Sequence, residues 1–191
     1  MKTENKIVKL FIEEEKPKTI REISKKIKAD YRITYTAAQR LLVKKIMLST
    51  TIGKSTLCEL NQDYFGIEIY KAESEINKDF LKNKNIRQLY KEVMGKIKNS
   101  FFIFLIFGSY AKKEQIKSSD LDIIFISNEV DFEKQIQNIL SLIPIKTHTL
   151  VFTEEEFIRM KDSKKSNVVK EAIKNNIILY GIENYYMLKN A

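Results

Sequence analysis

Cysteine and histidine each occur once in the 191 residues. Cys58 has no partner for an internal disulfide, and a single Cys with a single His, His148, cannot build a Cys/His zinc site. The thiol reads as a small apolar strand residue. No apolar run approaches the roughly 18 residues of a membrane span, and 101–108 is far too short. Residues 1–15 lack the apolar centre of a secretory signal, so the expectation is a cytoplasmic protein with no membrane partner. Proline and glycine are scarce, two and five in all. Residues 61–99 hold no proline and only Gly66 and Gly95, which reads as helices rather than a flexible linker. One helix is expected near Lys71–Asn83 and another near Ile86–Asn99, with Leu89, Val93 and Ile97 on one stripe. Ahead of them Tyr64, Phe65, Ile67, Ile69 and Tyr70 form an apolar patch, either packing surface or the seam of a homodimer. There is no internal repeat and no low-complexity segment.

What is present is positive charge, unevenly placed. The net charge is +9 and 43% of the residues are hydrophobic, enough for a real core. Residues 1–62 carry 14 Lys and Arg against 7 Asp and Glu, whereas residues 63–191 carry 20 against 18. A localised positive field suits a polyanion-binding module, although a lysine-rich proteome gives the same surplus.

The most informative stretch is 101–126, FFIFLIFGSYAKKEQIKSSDLDIIFI. An apolar run ends at Gly108-Ser109, and ten residues later Asp120-Leu121-Asp122 opens a second run. The order predicts strand, glycine turn, short helix, then a strand bearing paired carboxylates. On a strand, residues i and i+2 share a face, so Asp120 and Asp122 project together about 7 Å apart along the backbone. Two hard oxygen donors suit Mg²⁺, which takes a few carboxylates plus substrate phosphate oxygens. Gly108 can adopt a positive φ, and Ser109 offers a hydroxyl where a helix opens toward an anion. These parts suit metal-dependent transfer from a nucleoside triphosphate.

Gly108-Ser109, ten residues, then Asp120-Leu121-Asp122 resembles the signature of the polymerase-β-like nucleotidyltransferase superfamily, and GSYAKKEQIKSSDLDIIF is most similar to its minimal branch. That branch includes antitoxins encoded beside small helical toxins. The resemblance implies an α/β protein with a small mixed sheet flanked by helices. It further implies Mg²⁺ (or Mn²⁺) on Asp120 and Asp122, and triphosphate at Gly108, Ser109 and Ser119. A nucleoside monophosphate would pass to a protein or RNA hydroxyl, with a toxin-like partner one possible acceptor. Two positions depart from the pattern. Lys113, after Lys112, stands where members often have a second glycine. The strand expected at Ile145–Phe152 contains no carboxylate, so His148 or a neighbouring threonine occupies the place of the third acidic residue of active members. His148 is then either a ligand or base, or a structural residue. Glu154, Glu155 and Glu156 fall at the start of the next helix, where acidic side chains favour the helix dipole.

Residues 1–62 carry their own pattern. Ile7, Val8, Phe11 and Ile12 recur at helical spacing, and Ile20, Ile23 and Ile27 follow Pro17 and the N-cap Thr19. A third helix is expected from about Arg32 to Lys45, with Thr34, Ala38, Leu41 and Leu42 inward. Strands 48–52 and 55–60 then flank Gly53-Lys54. Three helices followed by a hairpin resembles a winged helix-turn-helix domain, placed at 1–62 with the transferase part at 63–191. The resemblance implies double-stranded DNA as partner, read by Arg32, Tyr35, Thr36, Gln39 and Arg40 on helix three, with Lys54 at the wing tip. Protein docking or dimerisation is the other use of such a module. Beyond Asp122 the sequence predicts a helix at Val130–Leu142, two helices over Glu154–Asn175 and a closing segment at Ile177–Gly181. Tyr180, Tyr185 and Tyr186 read as packing residues, with base stacking as the alternative. Two functions therefore stand side by side: an Mg²⁺-dependent nucleotidyltransferase, and a DNA-binding regulator that keeps the fold as a nucleotide sensor or dimerisation platform.

Overall fold

The computed structural model describes residues 2–98, 101–116 and 119–191. Met1 and Asn99, which bounded two expected segments, lie outside the described residues. The chain packs as two compact units, Met1–Ile76 and Asn77–Ala191. Among the described residues no helix is long and apolar enough to cross a membrane.

The first unit runs α1 (Thr3–Glu13), β1 (Lys18–Thr19), α2 (Ile20–Lys26), α3 (Tyr31–Val43), β2 (Met47–Ile52) and β3 (Ser55–Leu60). Its antiparallel sheet has the order β1-β3-β2. Local chemistry sets the helix starts. Thr19 and Glu22 form a reciprocal capping box on α2, and Asp30 accepts from the Arg32 and Ile33 N–H groups at the head of α3. Ile7, Val8 and Phe11 from α1 are buried, as are Ile23, Ala38, Leu41, Met47 and Cys58. Each large apolar side chain so covered contributes about 1.5–3 kcal/mol. Lys18 is buried too, and its ammonium donates to the carbonyls of Glu14 and Lys16 beside the Phe11 ring. After the hairpin, the Tyr64 hydroxyl donates to Glu68, which also pairs with Lys44 at 3.1 Å. Glu68 lies on α4 (Ile67–Phe80), which starts four residues earlier than its sequence pattern suggests. Within the apolar patch there, Ile69 is buried while Phe65 and Ile67 remain exposed.

The second unit contains α5 (Lys84–Lys96), β4 (Ile103–Phe107), α6 (Gly108–Ala111), β5 (Leu121–Ile126), α7 (Phe132–Leu140) and β6 (Thr147–Phe152). They are followed by α8 (Glu154–Asp162), α9 (Val168–Lys174), β7 (Asn176–Tyr180) and α10 (Ile182–Asn190). Its mixed sheet has the order β6-β5-β4-β7, with β5 and β6 parallel and the other pairs antiparallel. The central strands are apolar on both faces because helices cover both, and all of β4 is buried. An aromatic cluster fills one side: Phe104 stacks on Phe125 with ring centres 4.6 Å apart, and Phe102 meets Tyr180 at 4.6 Å and Phe132 at 5.4 Å. Helix α7 is shorter than its apolar pattern suggests. Asp131 takes a left-handed φ of 68° at its start, and Val130 and Leu142 stay exposed beyond its ends. Tyr185 and Tyr186 are buried and pack edge-on against each other, as packing residues.

Candidate functional site

The sheet of the second unit brings four residues into one row at one end. Asp122 on β5 pairs in register with Phe107 on β4 and with His148 on β6, and Phe107 pairs with Asn176 on β7. Residues opposite one another across a sheet share a face. At the end of β4 the chain turns into α6 through Gly108, whose φ is +68°. A Cβ at Gly108 would overlap Asp122 Oδ2, so the absent side chain is what lets the carboxylate lie against the bend. The other oxygen, Asp122 Oδ1, is 3.3 Å from His148 Nδ1. Asp122 is the half-buried member of an otherwise buried strand.

Asp120 stands immediately before β5 and is exposed. Among the described residues no hydrogen bond or ion pair holds its carboxylate. Ser109 lies in α6, half-buried, and its carbonyl accepts from the Glu114 N–H. Ser119 is bonded to Ile116: its hydroxyl oxygen accepts from Ile116 N at 3.0 Å, and its own N–H donates to Ile116 O. Lys112 pairs with Glu171 at 3.3 Å, and Lys113 has a φ of +60°. That is the left-handed region glycine favours, so the turn after α6 keeps a glycine-like backbone without the glycine.

The acidic run after β6 is accounted for by the helix. Thr153 and Glu156 form a capping box on α8, and donation from the Thr153 N–H, followed by its hydroxyl, holds the Glu156 carboxyl below its ordinary value. Asn176, which no sequence signal nominates, completes the row structurally. Its amide donates to Ala172 O and to the Tyr185 hydroxyl, both at 2.7 Å.

Two carboxylates, one exposed and one lying against a bend without a side chain, form a donor set that fits a hard divalent cation. Mg²⁺ draws one or two protein carboxylates and fills the remaining positions with water and phosphate oxygens. Among the described residues no group of three or more His, Cys, Asp or Glu side chains is arranged so as to hold a metal ion.

In the first unit, Arg32, Tyr35 and Thr36 are exposed on α3, Gln39 is half-buried, and Lys54 is exposed in the hairpin turn. Thr36 spends its hydroxyl on the Arg32 carbonyl at 3.0 Å. Arg40 is exposed but paired with Glu4 on α1 at 3.2 Å, a partner the sequence pattern does not announce. Tyr31, Ile33 and Tyr35 add exposed apolar surface to the same helix.

No curated protein and no solved structure is significantly similar to the chain. The family described as Polymerase beta, Nucleotidyltransferase matches residues 74–184, a span that holds the whole row from Phe107 to Asn176. Since that match covers more than half of the 191 residues, the chain belongs to this nucleotidyltransferase family.

Proposed function

We propose that the second unit is a divalent-metal-dependent nucleotidyltransferase that passes a nucleoside monophosphate from a nucleoside triphosphate to a hydroxyl on a protein or RNA. The apposition of Gly108 and Asp122 carries this reading, because the absent side chain lets the Asp122 carboxylate lie against the bend, where it would hold a metal-bound triphosphate. Asp120 and Asp122 would hold Mg²⁺ or Mn²⁺. When bound, such an ion neutralises charge on the phosphoryl oxygens, the main requirement of this transition state. Gly108 makes room for the Asp122 carboxylate at the bend where the triphosphate would bind, and the Ser109 hydroxyl is available as a donor. Ser119, next to Asp120, would contribute to the triphosphate site from a backbone held by its bonds to Ile116. The acceptor hydroxyl oxygen bonds to the α-phosphorus as its proton passes to solvent, the bond from the α-phosphorus to the bridging oxygen of the β-phosphate breaks, and pyrophosphate leaves.

The test is incubation of the full chain with each labelled triphosphate, Mg²⁺ or Mn²⁺, and lysate. Label should appear on protein or RNA, and Asp120→Asn and Asp122→Asn should each lower transfer roughly 100-fold or more while the fold is retained. Transfer undiminished in both variants would overturn the reading.

The first unit is proposed to be a winged helix-turn-helix module for double-stranded DNA, with α3 in the major groove and the Gly53-Lys54 turn against the backbone. The three helices, the hairpin and the exposed Arg32, Arg40 and Lys54 support this. A second reading is favoured by β6, where Thr147–Phe152 contains no carboxylate. There the protein is a DNA-binding regulator whose second unit senses a nucleotide without transferring it. Triphosphate binding with no transfer by the wild-type chain selects it.

A further inference from the structure

His148 is the one histidine of the chain, and it lies beside Asp122 in the sheet. Its Nδ1 is 3.3 Å from Asp122 Oδ1, yet 60% of the imidazole is exposed. Among the described residues it has no other polar partner. An imidazole so exposed beside a half-buried carboxylate is open to an ion arriving at Asp122. The spacing has a second meaning. Two donors, each about 2.1 Å from one ion and at right angles around it, lie about 3.0 Å apart. The Oδ1 to Nδ1 distance is close to that of neighbouring ligands on a shared ion.

We infer that His148 is a ligand of the divalent ion at Asp122, giving that ion a nitrogen donor and shifting its selectivity from Mg²⁺ toward first-row transition metals such as Mn²⁺. The inference rests on the reading of Asp120 and Asp122 given above. Imidazole is a good ligand for transition metals, whereas Mg²⁺ favours oxygen. No carboxylate on β6 competes for the position, because the strand reads THTLVF. The flanking residues Thr147 and Thr149 are neutral, so the imidazole is the strongest donor that β6 can offer at this end of the sheet.

The experiment is Mn²⁺ binding to the full chain in the presence of tripolyphosphate, which contains no nitrogen, followed by pulsed electron paramagnetic resonance for ¹⁴N coupling and by Mg²⁺ competition. The expected result is an imidazole nitrogen signal in the wild type. In His148→Asp it should vanish with Mn²⁺ still bound, and Mg²⁺ should compete roughly tenfold better. Bound Mn²⁺ without an imidazole signal in the wild type, or a signal that survives in His148→Asp, overturns the role of His148 and leaves the carboxylate site standing. Mn²⁺ that does not bind at all, or binds equally to Asp122→Asn, removes both. The wild-type spectrum decides the question even if the variant folds poorly.

Discussion

Asp122 is held from two sides: Gly108 makes room for Oδ2, and His148 Nδ1 stands 3.3 Å from Oδ1 across the parallel junction of β5 and β6. Asp120, two residues earlier, is exposed before the strand begins. The two carboxylates of one short motif are therefore unequal: one is oriented by its neighbours in the sheet and the other is exposed.

Gly108→Ala should disturb this arrangement twice over. A left-handed φ costs a non-glycine residue about 1–2 kcal/mol, and the new methyl group must displace the Asp122 carboxylate. Urea unfolding should show a loss of that order, and triphosphate binding should weaken by roughly tenfold or more if the carboxylate is displaced. Binding and stability both matching wild type would show that the bend has no influence on the site.

Lys113 offers the opposite case. Its φ of +60° is one glycine adopts without the Cβ penalty. Lys113→Gly should raise stability by about 0.5–1 kcal/mol in urea unfolding, less whatever the lysine contributes through its side chain. Triphosphate affinity measured on the same variant separates backbone relief from a charge effect. A fall in both quantities would count against the prediction.

The first unit contains a bond whose pH dependence can be given a sign. Burial, and then the bond to Glu68, push the Tyr64 phenol up to about 12. The same bond, helped by Lys44, holds the Glu68 carboxyl below its ordinary value of 4.5. A raised phenol contributes stability fully below its ordinary value of 10.0 and loses it as pH rises through about 12. A lowered carboxyl contributes above its ordinary value and loses that contribution as pH falls through the lower, folded value. Tyr64→Phe should therefore cost about 1 kcal/mol near neutral pH. The deficit should shrink as the carboxylate is protonated in acid. A deficit unchanged from pH 7 to pH 3 would contradict this.

Arg40 is tied to Glu4, so its availability to a phosphate or base depends on breaking that pair. Glu4→Gln should tighten duplex DNA binding by about twofold to fivefold at low salt, and should do so much less in an Arg40→Ala background. Lys54→Ala should lower the slope of log affinity against log salt by about one. No binding to duplex DNA at low salt would remove the proposed role of this unit.

Much of the architecture is legible because it is local. The apolar runs either side of Gly108 become β4 and β5, and Thr19 caps α2 through a threonine-to-glutamate spacing visible in the chain. The strand β1 is not legible: it is two residues long, too short for an alternating pattern, and exists by pairing with β3. The start of α4 at Ile67 is hidden by an aromatic-rich approach that reads as a patch. In the site, the glycine bend is written in the sequence, whereas the expected strand starts one residue late, at Leu121, and leaves Asp120 just outside it. The meeting of Asp122 with His148 is not legible there, because it depends on the parallel pairing of β5 with β6, which joins residues 26 positions apart and leaves no local pattern. The Glu4–Arg40 pair joins α1 to α3, and periodicity within a helix says nothing of its partner.

A side chain fixed before its ligand arrives has already given up its rotational freedom. For Asp122 that entropy loss falls on folding, where the packed strand β5 absorbs it, and not on association. Exposed Asp120 must still lose its freedom when something binds. If the pair holds an ion as proposed, the ordering cost on association falls on Asp120 more than on Asp122.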